Sequence, residues 1–150
     1  MIIAFGCDPN AVAMKQALMA HACELGHEVV DMGSDDPVYA NTAIELARDV
    51  ATGKADRGVL LCGTGIGVSI SANKVEGAYC ALVTDTFQAQ RAQLSNNANI
   101  IAMGAQVTGL ELAKCLLGEY LANSFDTSSR SASKVAAIVE YERETHHARS

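Results

Sequence analysis

Short apolar runs alternate along this chain with longer stretches of helical period, and that alternation predicts parallel strands joined by crossover helices. Ile2-Ile-Ala-Phe5 reads as the first strand, ending at Gly6-Cys7-Asp8. Asn10 is placed to cap a helix in which Ala11, Met14, Leu18, Ala22 and Leu25 recur at helical spacing, with Gly26 at its C-terminal stop. Residues 28–32 form a second strand, and residues 39–52 are helical by Ala43, Leu46, Ala47 and Val50, with Gly53 ending the helix. Val59-Leu-Leu-Cys62 is a continuous apolar run, as expected of a strand covered on both faces, and it leads directly into Gly63-Thr-Gly-Ile-Gly67. Residues 68–74 have room only for a short helix. Residues 80–83 and 100–103 supply strands four and five, with a helix over 86–94 between them. Thr108-Gly-Leu-Glu111 has capping-box spacing and opens a long helix ending near Asn123. A polar turn over 126–130 precedes a last helix carrying Val135, Ile138 and Val139.

The pattern therefore predicts an α/β chain: a three-layer αβα, Rossmann-like fold with a five-stranded parallel sheet and an extra C-terminal helix, one domain over residues 1–150. In such sheets ligands sit at the carboxyl ends of the strands, where the strand order reverses. Composition narrows the classes. With 11 Lys+Arg against 17 Asp+Glu the net charge is −6, and aromatic residues make up 5% with no Trp. That balance argues against a surface that tracks nucleic acid by phosphate neutralisation and base stacking. No apolar run approaches the roughly 20 residues of a membrane span, and no export leader is evident, so a soluble cytoplasmic protein is expected. Five cysteines without a C-x-x-C pair indicate neither a disulfide framework nor a zinc site.

One strand-end loop stands out chemically. Three glycines at alternate positions let the backbone pass close to a ligand, and the amides opening the next helix point at whatever lies above. Gly63-Thr-Gly-Ile-Gly67 is too short for a dinucleotide fingerprint and lacks a P-loop ending, so by itself it fits a tight structural turn as well as an anion site. Cys62 stands at the strand end directly below the loop, where amides and the helix dipole favour thiolate. A thiolate is a good base; the plainer reading of Cys62, and of Cys7, Cys23, Cys80 and Cys115, is packing. Asp8 fits a simple N-cap, and Thr64 and Asn73 fit ordinary polar positions. Arg130 and Lys134, at i,i+4 spacing, put two cations on one helix face, which a solvated surface would also show. None of His21, His27, His146 and His147 falls at a strand's carboxyl end, so no metal site is expected.

With these residues in view, the chain is similar to the ribose-5-phosphate isomerase B and galactose-6-phosphate isomerase family of sugar-phosphate aldose–ketose isomerases. The resemblance runs from the opening Ile-Ile-Ala-Phe-Gly-Cys-Asp through Cys-Gly-Thr-Gly-Ile-Gly and Ser-Ala-Asn-Lys to Asn96, Gly104 and Arg130. It implies that Cys62 is the base moving a proton between C1 and C2, with Thr64 the second catalytic residue, at a position that holds or orients the substrate, and that Gly63, Gly65, Ile66 and Gly67 form an anion hole for the enediolate oxygen. Preorganised amides aimed at such an oxygen lower the barrier by several kcal/mol, and no metal or cofactor is then required. The resemblance further implies that Asp8 and Tyr39 hold the substrate and that Arg130 and Lys134 bind its phosphate. Asn96 would come from a partner subunit in a homodimer, or a tetramer, with shared active sites. The last helix, over 131–146, would pack on that partner.

Three positions depart from the family pattern. Members acting on ribose phosphate carry a His after the first Asp and another before the matching Asn, used to open the furanose ring and to contact phosphate; here these are Pro9 and Ser95. The usual Arg of a Gly-x-Arg turn is Gln106. Either activity has been lost, leaving a catalytically silent sugar-phosphate-binding subunit, or the substrate has no ring to open. An aldotetrose 4-phosphate cannot close a five-membered ring, because the hydroxyl needed is esterified. Tyr39-Ala-Asn41, Asp85-Thr-Phe87, Arg91 with Leu94-Ser-Asn-Asn-Ala98, and Arg130-Ser-Ala132 likewise look like the branch that interconverts D-erythrulose 4-phosphate and D-erythrose 4-phosphate in tetritol catabolism. That is the expected reaction, with ribose 5-phosphate or galactose 6-phosphate isomerisation as the alternative.

Overall fold

The computed structural model describes residues 1–149. Five parallel strands, β1 (Ile2–Cys7), β2 (Glu28–Asp31), β3 (Arg57–Cys62), β4 (Cys80–Leu82) and β5 (Ile100–Gly104), form one sheet in the order β2-β1-β3-β5-β4. The helices are α1 (Val12–Glu24), α2 (Tyr39–Ala51), α3 (Ile66–Ala72), α4 (Thr86–Leu94), α5 (Leu110–Ala122) and α6 (Ala132–His147). The strand order reverses between β1 and β3, whose register pairs Gly6 with Leu60 and Cys7 with Leu61. Strand alternation divides the core in two. Ile3, Phe5, Val59, Leu61, Ile101 and Met103 face α1, α4 and α5, while Ala4, Leu60, Cys62, Ile100 and Ala102 face α2 and α3. Gly6 and Gly58 lie on this second face and let α2 come close: a Cβ on Gly58 would stand 2.5 Å from Leu46 Cδ2, and one on Gly6 2.8 Å from Thr42 Cγ2. No helix of the described residues is long and apolar enough to cross a membrane.

Some local expectations are revised. Asn10 does not cap the first helix; Asp8 does the capping, its side chain accepting from the Asn10 amide at 2.9 Å to start a 3-10 turn over Pro9–Ala11. Proline suits that first position because its missing N–H has no acceptor to lose. The Thr108–Glu111 capping box does not form either. The Thr108 amide donates to Gly104 O at 2.8 Å, which folds the side chain inward to 3% exposure and leaves Gly109 as the N-cap. Helix α3 begins at Ile66, two residues earlier than its apolar pattern indicated.

Polar side chains close the ends of the framework. Arg57 is 6% exposed, donates to Tyr120 O at 2.7 Å and Asn123 O at 2.6 Å, and lies over the Tyr120 ring, so it caps the C-terminus of α5. Asn73, in the Ser-Ala-Asn-Lys motif, bonds both Cys80 N and Cys80 O and so covers the edge of β4. The buried Lys15 donates to Asp31 Oδ1 at 2.7 Å. Burial alone would push the Asp31 carboxyl up; the Lys15 ammonium and the Gly33 amide together hold it below its usual range.

Candidate active site

Three strand-end segments converge at the crevice where the strand order reverses. From β1, the Asp8 amide donates to Leu61 O at 3.2 Å, which ties the chain after β1 to β3. From β3, Cys62 ends the strand on the α2/α3 face, 5% exposed. Its Sγ accepts the Gly65 amide at 3.1 Å. Gly65 adopts φ +80°, which turns the chain sharply enough for α3 to start one residue later. On the β5 side the loop is held by Ala105 N donating to Cys62 O at 2.8 Å and Gln106 N donating to Gly63 O at 3.0 Å. From α2 comes Tyr39. Asp36 shapes its approach by accepting from the Val38 amide and the Asn41 side chain, bonds that hold the Asp36 carboxyl below its usual range. The Tyr39 ring lies directly on Gly67, where a Cβ would run into its Cζ.

The result is an open cleft of about 410 Å³ lined by Asp8, Tyr39, Cys62, Gly63, Thr64, Ile66, Gly67 and Ile70. Seven of these residues were expected at the site from the sequence. Ile70 was not; the signal was its i,i+4 spacing from Ile66 on a short helix, which leaves both side chains more than half exposed beside the cleft. The amides of the loop are not equivalent. That of Gly65 points at sulfur, and that of Ile66 donates to Thr64 Oγ1 at 3.3 Å, whereas that of Gly67, in the first turn of α3, has no acceptor among the described residues. Gln106 folds its side-chain amide against the loop, 3.3 Å from where a Cβ on Gly63 would be.

Asn96, Arg130 and Lys134 are not brought to this cleft. Helices α4 and α5 each leave the carboxyl end of a strand and return the chain to the amino end, so the segments that follow them lie across the sheet from Cys62. Asn96 there lines a separate, largely apolar cavity of about 280 Å³ with Asn73, Cys80, Val135, Ile138 and Val139. Arg130 and Lys134 are exposed, and neither side chain has a hydrogen bond or ion pair among the described residues. The other cysteines separate into two kinds. Burial pushes the Cys7 thiol up to about 11 and that of Cys80 up to about 12, whereas Cys23 and Cys115 are exposed, not the packing residues expected of them. Among the described residues, no group of three or more His, Cys, Asp and Glu is placed to hold a metal ion.

Known proteins share both sequence and fold with the chain. The Ribose/Galactose Isomerase family pattern matches residues 3–138. A D-erythrulose-4-phosphate isomerase of Pectobacterium atrosepticum is 44% identical over 149 residues, covering 97% of each chain. Ribose-5-phosphate isomerase B of Escherichia coli is 38% identical over 144 residues, 94% of this chain and 96% of that one. The structure of ribose-5-phosphate isomerase B from Clostridium thermocellum superposes with a TM-score of 0.90 at 34% identity, over 97% of this chain and 99% of the other. With the cleft at the sheet's reversal point and agreement along nearly its whole length, the chain belongs to the ribose/galactose isomerase family of sugar-phosphate isomerases.

Proposed function

We propose that this enzyme interconverts D-erythrulose 4-phosphate and D-erythrose 4-phosphate by cysteine-mediated proton transfer through an enediolate. The observation that carries the substrate assignment is that no imidazole lines the Cys62 cleft among the described residues: the residue after Asp8 is Pro9, spent on opening a 3-10 turn, and Ser95 is engaged by Arg91 Nε at 2.7 Å. Neither can move the proton that opening a furanose ring requires. A tetrose 4-phosphate presents its carbonyl without that step, and the similarity to the Pectobacterium isomerase supports the same substrate.

In this reading the Cys62 thiolate takes a proton from C1 of the ketose, and the electron pair passes through the C1–C2 bond to the carbonyl oxygen at C2. The amide of Gly67 faces the charge that develops on the enediolate; Gly63, Gly65 and Ile66 shape the same anion hole, the Gly65 amide holding the Cys62 sulfur and the Ile66 amide holding Thr64 Oγ1 beside it. Cys62 then returns the proton to C2, while Thr64 assists the transfer between the two oxygens. Asp8 and Tyr39 hold the chain hydroxyls from either side of the cleft. Phosphate goes to Arg130 and Lys134. Since these and Asn96 lie across the sheet from Cys62, they serve the cleft of a second protomer, giving a homodimer with shared sites. Exposed Ile66 and Ile70 beside the cleft and Ile138 and Tyr141 on α6 supply apolar surface for that assembly, and the Ser129 hydroxyl next to Arg130 is buried without a partner among the described residues. The five free cysteines fit a reducing cytoplasm, and the reaction fits tetritol breakdown.

The test is kcat/KM measured for D-erythrulose 4-phosphate and ribose 5-phosphate on one enzyme preparation. The tetrose phosphate should be preferred by at least about tenfold, since a ring-closed substrate lacks the acid–base groups it needs. Equal or better turnover of ribose 5-phosphate would overturn the assignment.

A further inference from the structure

Helix α6 buries none of its residues, although it carries Lys134 in its first turn and follows Arg130 directly. Val135, Ile138 and Val139 line the 280 Å³ cavity. The helix's shortest polar tie is Glu142, on the same face three residues beyond Val139 and about 12 Å along the axis from Lys134 at 1.5 Å per residue; one turn further on, His146 Nδ1 stands 3.8 Å from Glu76 Oε2. Glu142 Oε2 accepts both the Tyr79 hydroxyl at 2.6 Å and the Gly77 amide at 3.2 Å. The same short turn is gripped from its other side by Asn99, which donates from Nδ2 to Gly77 O at 2.8 Å and accepts from Tyr79 N through Oδ1 at 2.8 Å. Asn99 ends the loop that presents Asn96, three residues earlier. Gly77 and Tyr79 thus form one bracket to which both the Asn96 loop and α6 are tied.

We propose that Glu142 is a positioning residue for substrate binding: by locking α6 onto the Gly77–Tyr79 turn, it presents Arg130 and Lys134 to the neighbouring protomer's cleft at a fixed offset from Asn96. This rests on the shared-site reading given above. Losing the lock leaves the reacting atoms around Cys62 untouched and loosens the hold on the phosphate, which acts equally in ground and transition states.

The experiment compares Glu142→Ala, Tyr79→Phe and Glu142→Gln. Glu142→Ala should raise KM for D-erythrulose 4-phosphate about tenfold while kcat changes less than about twofold, the pattern of lost uniform binding. Tyr79→Phe should fall between this and wild type. Glu142→Gln keeps a carbonyl oxygen for both donors and should restore KM to near the wild-type value. Hybrid dimers of Cys62→Ala and Glu142→Ala protomers then place the effect: the one working cleft takes Cys62 from one chain and an intact α6 from the other, so it should show the wild-type KM. A hybrid that keeps the raised KM, or a Glu142→Ala homodimer with unchanged KM, overturns the proposal. Hybrids of Cys62→Ala with Arg130→Ala serve as the control. Regained turnover there, beside a failed Glu142 series, faults Glu142 alone; no gain in that control faults the shared-site reading and the role of Glu142 with it.

Discussion

Replacing Gly65 by alanine puts a methyl group where neither the backbone nor its surroundings can take one. The residue holds φ +80°, a left-handed conformation that costs an L side chain about 1–2 kcal/mol. The new Cβ would stand 2.6 Å from Leu82 Cδ1 and 2.8 Å from the carbonyl carbon of Met103. Leu82 is at the sheet edge and partly exposed, so its side chain can swing away. Met103 cannot, because its backbone is held in β5 opposite Leu61 of β3; overpacking of this kind costs about 1–3 kcal/mol. The combined loss is about 2–5 kcal/mol, which at roughly 2–4 °C per kcal/mol for a chain of this size lowers the unfolding midpoint by about 4–20 °C. Circular dichroism melts at matched protein concentration read this directly. Activity at a temperature where the variant is folded should fall as well, because the same displacement moves the amide that donates to Cys62 Sγ. A Gly65→Ala protein that melts within about 2 °C of wild type with full kcat would refute the reasoning.

Gly67→Ala should behave differently, since the atoms nearest its Cβ all belong to the end of the Tyr39 side chain, a residue 41% exposed. The ring swings aside, so the melting midpoint should stay within a few degrees while KM rises about tenfold; a large stability loss would contradict the contact. Asp31→Asn removes the partner of the buried Lys15. The Asp31 carboxyl titrates below its unfolded value, so its contribution is complete at neutral pH and is lost as pH falls through the folded pKa. Because Asp31 is about half exposed, the cost at pH 7 should be modest, about 1–2 kcal/mol, and the gap between variant and wild-type melts should narrow in acid. Iodoacetamide should modify exposed Cys23 and Cys115 without loss of activity, Cys7 and Cys80 hardly at all near neutral pH, and Cys62 with inactivation that tracks its labelling by mass spectrometry.

The strands, their parallel arrangement and the Cys62 cleft were legible in the sequence because each depends on local information: apolar runs for β1, β3 and β5, and alternate glycines after a strand. Caps were harder to read. Asn10 and Asp8 are both good capping types, and only the proline between them, with the resulting 3-10 turn, decides for Asp8. Thr108 had the right spacing for a capping box, but a turn closing on Gly104 carried it into the core. Pairings across the sequence left no signal at all. Arg57 on the end of α5 and Glu142 on the Gly77–Tyr79 turn join residues more than 60 positions apart in the chain, and either alone would pass for a surface polar group. The separation of Asn96, Arg130 and Lys134 from Cys62 is likewise a consequence of topology, since it follows from which end of the sheet each connection reaches.

The most direct test of Cys62 as the proton-transfer base is deuterium incorporation from D2O into D-erythrulose 4-phosphate, followed by NMR at C1 and by mass in the product aldose, for wild type and Cys62→Ala. Wild type should exchange at C1 and carry label into C2 of D-erythrose 4-phosphate. Cys62→Ala should lose exchange and turnover together by about 100- to 10,000-fold while still binding inorganic phosphate. Exchange by Cys62→Ala at a rate near that of wild type would contradict the account.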